Sequence, residues 1–102
     1  MLGEYNMFEA IVQELESVRA NARCRDIKDK LEKLGFEVRD GKRGGHKVFV
    51  HDHLPSFMSG SFNCGHGKNP EIKPVYVKKI IRTLKEHESE LKQYLREGDS
   101  ND

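Results

Sequence analysis

The chain has 102 residues, 35% hydrophobic and 34% charged, with no Trp. That suffices for one domain but not for a second core, and it is too rich in patterned apolar residues for full disorder. Apolar runs of two or three residues exclude a membrane-spanning helix, and the N-terminus lacks the basic-then-apolar pattern of a secretory signal. Two cysteines forty residues apart do not suggest a disulfide-stapled secreted fold, so a reducing cytoplasm is the expected compartment.

The net charge of +1 is unevenly spread. Residues 1–20 carry four Glu against Arg19, and residues 86–102 carry six acids against Lys92 and Arg96. Residues 21–85 hold 15 Lys and Arg against seven Asp and Glu, a net of +8. A basic middle between acidic ends suggests a polyanion-binding module; ordinary solvated charge is the plain alternative.

Phe8, Ile11, Val12, Leu15 and Val18 recur at helical spacing, which predicts an amphipathic helix over about 5–20. Residues 21–25 interrupt the stripe. Ile27, Leu31 and Leu34 resume it in a new phase, giving a second helix over about 23–34 with Gly35 as its C-terminal cap. Residues 36–39 alternate as a strand. A glycine-rich turn, residues 40–45, leads to the strongest strand pattern, residues 46–51, which the segment around Pro55 ends. Residues 57–63 read as a weaker third strand, with Met58 and Phe62 on one face.

Residues 64–73 form a loop of Gly, His, Asn and Lys. Pro74 suits the first turn of a helix, where its missing N–H costs nothing. Val77, Ile80, Ile81, Leu84, Leu91 and Leu95 carry that helix to about residue 95, with a weaker stripe at His87 and Glu88. Residues 97–102 read as a frayed, disordered tail.

The expected fold is α+β, in the order α-α-β-β-β-α. Three short strands make an antiparallel meander with helices on one face, preceded by an extra N-terminal helix. The expected organisation is an N-terminal amphipathic helix over 1–20, a domain over 21–96 and the tail over 97–102. Burying Lys47 is costly, so Val48 and Val50 are expected to face the helices. Phe49 then lies outside and His46 at the rim of the helix-facing side.

Three segments in this order carry a resemblance. They are Leu31-Glu32-Lys33-Leu34-Gly35-Phe36-Glu37-Val38, then Gly44-Gly45-His46-Lys47-Val48-Phe49, then the loop from His66-Gly67-Lys68 through Pro74 into Val77-Lys78-Lys79-Ile80-Ile81. Together residues 26–84 resemble the HicA family, the toxin half of HicA–HicB toxin–antitoxin pairs. The resemblance implies an α-β-β-β-α fold like the double-stranded-RNA-binding domain. It also implies a cytoplasmic mRNA interferase that needs no metal or other cofactor, and a HicB-like antitoxin partner. Two positions depart from the family pattern. Gly45 stands where Ser or Thr usually precedes the histidine, and Val75 stands where Gly often follows the proline.

Metal-independent RNA cleavage can use the substrate's own 2′-OH as nucleophile. An imidazole, with an ordinary pKa of about 6.5, can take that proton near neutral pH. His46 is the candidate catalytic base. Lys42, Arg43 and Lys47 surround it in sequence as candidate phosphate ligands, and Gly44 and Gly45 permit close backbone approach. His66 and Lys68, on the loop entering the last helix, are candidates for RNA contact and proton donation. Phe49 could stack on a base.

Each of these residues also has a structural reading: a histidine that opens a strand, a glycine turn, and solvated lysines. His51, His53, Cys64 and His66 form a competing Cys-His₃ zinc constellation, although structural sites favour wider spacings; the expected metal is none. The rival functions are a non-catalytic RNA-binding module of the same fold and a protein-interaction domain using the acidic helices. The apolar stripes of the first and last helices are expected to pack together, either within one chain or as a homodimer.

Overall fold

A computed structural model describes residues 6–100 of the chain. It is an α+β fold of four helices and one three-stranded antiparallel sheet, among the described residues. The elements are α1 (Met7–Ser17), α2 (Cys24–Lys33), β1 (Glu37–Asp40), β2 (His46–Val50), β3 (Gly60–Asn63), α3 (Pro74–Glu86) and α4 (Glu88–Ser100). None of the described helices is long and apolar enough to cross a membrane.

Local chemistry sets the helix ends. Asn6 caps α1, its side-chain oxygen accepting from the Glu9 N–H at 3.1 Å. In α2, Asp26 lies in the first turn and Lys30 and Lys33 in the last, matching the helix dipole. The chain leaves α2 through a Schellman motif, as Gly35 was expected to allow. Gly35 N–H donates to Glu32 O and Phe36 N–H to Leu31 O. That motif turns the chain directly into β1.

The sheet order is β1-β2-β3, with Val38 opposite Phe49 and His46 opposite Asn63. This register inverts the expected faces of β2. Phe49, 1% exposed, faces the helices and packs with Phe36, Phe57 and Phe62. Val48 and Val50 are half-buried on the open face, together with His46. Lys47 therefore lies on the helix side. It escapes a buried charge by ion-pairing with Asp40 at the end of the sheet. The third strand is also shorter than expected, and Met58, 89% exposed, lies before it.

The expected single C-terminal helix is two helices. It breaks at His87, whose backbone leaves the helical region (φ −111°, ψ 24°). The ring of His87 packs edge-on to Phe57, and its Nδ1 lies 3.2 Å from Ser56 Oγ and 3.3 Å from Glu90 Oε1. Beyond the break α4 packs on α1, and Leu91 is fully buried. Helix α1 packs on both α3 and α4, and Lys85–Glu16 and Lys92–Glu9 ion pairs join these layers. The two apolar stripes thus meet within one chain. Residues 97–100 of the expected tail continue α4, and 101–102 lie outside the described residues.

The cysteine reading is also corrected. Cys24, the first residue of α2, and Cys64, just after β3, are disulfide-bonded with Cα atoms 5.8 Å apart. Their separation in sequence concealed a close approach made by the fold. The bond removes the argument for a reducing compartment that was drawn from the cysteines.

Candidate active site

His46 opens β2 on the free face of the sheet. Its backbone is fixed on both sides: Gly41 N–H donates to His46 O, and His46 N–H donates to Arg43 O. The ring lies against Gly41, where an added Cβ would overlap its Cδ2 atom. Glycine is needed there to make room for the imidazole.

The ring is oriented from the neighbouring strand. His46 Nδ1 lies 2.9 Å from Asn63 Oδ1. That oxygen can only accept, so Nδ1 carries the proton and, in the neutral ring, Nε2 keeps its lone pair. Asn63 is itself held, its Nδ2 donating to Tyr76 Oη at 2.8 Å. Tyr76 stands in the first turn of α3, which begins at Pro74. Strand register and helix start therefore combine into a His46–Asn63–Tyr76 relay.

The relay borders a surface depression lined by Gly41, Lys42, Arg43, Gly44, His46, Val48 and Asn63. Lys42 and Arg43 are exposed and form no ion pair among the described residues. Among the described residues, the Gly44 and Gly45 N–H groups have no acceptor. Two cations, the Gly44 amide and an imidazole around one depression suit a phosphodiester, and Val48 adds an apolar side chain to its lining.

Gly45 has φ +83°, and a Cβ there would stand 2.5 Å from Cys64 O. A Ser or Thr at this position would strain the backbone and collide with the adjoining chain. The missing hydroxyl follows from how closely this turn approaches Cys64.

Not every expected residue gathers here. Lys47 lies on the opposite face of β2, paired to Asp40, and Phe49 is core. His66 and Lys68 are exposed on the loop that Gly65 N–H to Glu71 O closes, and neither side chain bonds to His46. The zinc constellation is not assembled. Cys64 is bonded to Cys24, and His51 Nε2–H donates to Leu34 O at 2.9 Å while its Nδ1 accepts from His53 N–H. Burial pushes the His51 pKa down, so this ring is a neutral core group. No group of three or more His, Cys, Asp or Glu among the described residues could hold a metal. Sequence alone does not reveal Asn63 or Tyr76, because Asn63 depends on the β2–β3 register and Tyr76 on where α3 begins.

A family model described as the HicA toxin of bacterial toxin–antitoxin matches residues 24–86. The chain belongs to the HicA toxin family. No curated protein and no solved structure matches it. Membership implies a toxin–antitoxin system with an antitoxin partner. The match starts with α2 and ends with α3, so it contains the whole relay. In this HicA chain α1 and α4 flank the matched region, and they pack on one another.

The glycine beneath the imidazole gives a direct test of this geometry. Gly41→Ala is expected to push the His46 ring off Asn63 and to lower any His46-dependent turnover by about ten- to a hundredfold, the scale of an ångström's misplacement. The melting temperature should change little. A fully active Gly41→Ala protein would show that the ring position does not matter.

Proposed function

We propose that this HicA toxin is a metal-independent endoribonuclease with His46 as general base. The observation that supports the reading is the His46 ring, hydrogen-bonded through Nδ1 to Asn63 Oδ1, beside a depression that Lys42 and Arg43 also line. His46 Nε2 takes the proton of a ribose 2′-OH. The 2′-oxygen attacks the adjacent phosphorus and the bond to the 5′-oxygen breaks. The products are a 2′,3′-cyclic phosphate and a 5′-hydroxyl. Lys42, Arg43 and the Gly44 and Gly45 amides stabilise the charge gathering on the phosphate oxygens. The leaving oxygen needs a proton. His66 and Lys68 remain candidates, and the Tyr76 hydroxyl, which accepts from Asn63 and can direct its own O–H elsewhere, joins them.

The substrate in this reading is mRNA in the cytoplasm, and a HicB-like antitoxin is the partner that restrains the toxin. The homodimer loses its main support, since the stripes proposed to form it meet within one chain.

The experiment is cleavage of a single-stranded transcript by purified protein with EDTA present. Cleavage is expected. RNA that is bound but left intact would favour a non-catalytic RNA-binding module; RNA neither bound nor cut would leave a protein-interaction domain. Reversing Lys42 and Arg43 together to Glu should weaken binding to all sequences alike and flatten its salt dependence, because phosphate contacts position without specifying. Unchanged affinity and salt slope would remove these two residues from the RNA face.

A further inference from the structure

The disulfide adjoins the relay. Cys64 follows Asn63 directly, and its N–H donates to Gly45 O at 2.7 Å, next to His46. Through Cys24 it ties this end of β3 to the start of α2, and Cys24 N–H donates to Pro70 O in the loop that carries His66 and Lys68. The cross-link thus holds the strand end from which Asn63 reaches His46. Cys24 is buried, but Cys64 is half-buried and lines a depression with Asn63, Lys73 and Tyr76. A small reductant can enter there.

We propose that Cys24–Cys64 is a reversible redox site that sets the alignment of His46 through Asn63, with the disulfide form the more active. The proposal rests on the endoribonuclease reading for its activity readout, though not for its structural one. The reductant is a dithiol. One of its thiolates attacks the Cys64 sulfur, the Cys24–Cys64 bond breaks, and Cys24 leaves as a thiolate that takes up a proton. The second reductant thiol then attacks the mixed disulfide and frees Cys64, which is protonated in turn. The chain gains two electrons and two protons, and the reductant becomes a cyclic disulfide.

After reduction the fold retains other ties across this junction. The Cys64–Gly45 and Cys24–Pro70 backbone bonds remain, as do the Arg23–Glu71 ion pair and the Cys64–Ile72 bridge. What is lost is the covalent restraint one residue from Asn63. Loss of the Asn63 bond removes the preference for a proton on Nδ1 and lets His46 adopt the other tautomer. The cationic turn at Lys42 and Arg43 carries no part of the cross-link, so substrate binding should persist.

The test compares full-length protein oxidised, reduced with dithiothreitol and re-oxidised, with thiols counted in each state and folding followed by circular dichroism. Reduction should lower kcat by about tenfold with KM little changed, and re-oxidation should restore it. In parallel, ring-nitrogen NMR shifts of His46 should move away from the Nδ1–H form on reduction. A Cys24→Ser/Cys64→Ser variant should match the reduced protein and ignore dithiothreitol. If that variant does not fold, reduced wild-type protein held at low temperature gives the same comparison.

Unchanged kcat and unchanged ring shifts on reduction would overturn the proposal. So would two free thiols persisting after oxidant treatment, or a reduced chain that simply unfolds, which would make the bond a staple. If neither state cleaves RNA, the endoribonuclease reading fails while the ring shifts still decide the redox coupling.

Discussion

Replacing His46 by alanine is expected to lower RNA cleavage at least about a hundredfold, the usual scale for losing a general acid or base. The loss should appear in kcat more than in KM, because Lys42 and Arg43 still hold the phosphate. The fold should survive. His46 is half-buried on the open face, and its side-chain bond is to the exposed Asn63, so little core packing is lost. Circular dichroism and the melting temperature check that. A folded His46→Ala protein that cuts RNA at the wild-type rate would rule out this histidine as the base.

The second large effect concerns stability. Phe49→Ala should destabilise the protein by about 3–5 kcal/mol, the range for emptying a buried aromatic site. Phe49 is the inward residue of the central strand, edge-on to Phe36 at 5.5 Å and stacked with Phe57 at 5.7 Å. Its ring also covers Gly60, its partner on β3, where an added Cβ would collide with it. Truncation would leave a cavity that these neighbours only partly fill. Val48→Ala, one residue away on the open face, should cost much less. Urea denaturation of both variants separates the two faces of β2. Equal costs, or a larger cost at Val48, would contradict the observed register.

The contrast between these two positions shows what the sequence carries. Helix α2, its exit through Gly35 and the strand beginning at His46 were all legible, because local periodicity and one glycine specify them. The facing of β2 was not. A lysine on the inner face looked prohibitive, yet Lys47 sits at the strand's beginning, where it reaches Asp40 and stays half-exposed. Burial cost depends on where a strand meets the sheet edge, which alternation alone cannot give. The break at His87 was signalled only as a weak stripe, with neither Gly nor Pro to mark it. Its cause is tertiary: the contact with Phe57 and the burial of Leu91 against the rest of the core.

The site divides the same way. His46, Lys42, Arg43, Gly44 and Gly45 are contiguous in sequence and could be grouped before the fold was known. Asn63 and Cys64 join them only through pairing across the loop of residues 51–59, and Tyr76 only through the placement of α3. The parts of the site that orient the base are thus the parts that long-range register creates.

Central to this account is attack by the substrate's own 2′-oxygen under base catalysis by His46, and the ends of the cut RNA report on it most directly. Fragments released with EDTA present should carry 2′,3′-cyclic phosphate and 5′-hydroxyl ends, and an oligonucleotide with a single 2′-deoxy sugar at the cut position should stay intact. Cleavage of the 2′-deoxy oligonucleotide at that position, or 5′-phosphate ends, would mean that water or another nucleophile attacks the phosphorus and would contradict the account.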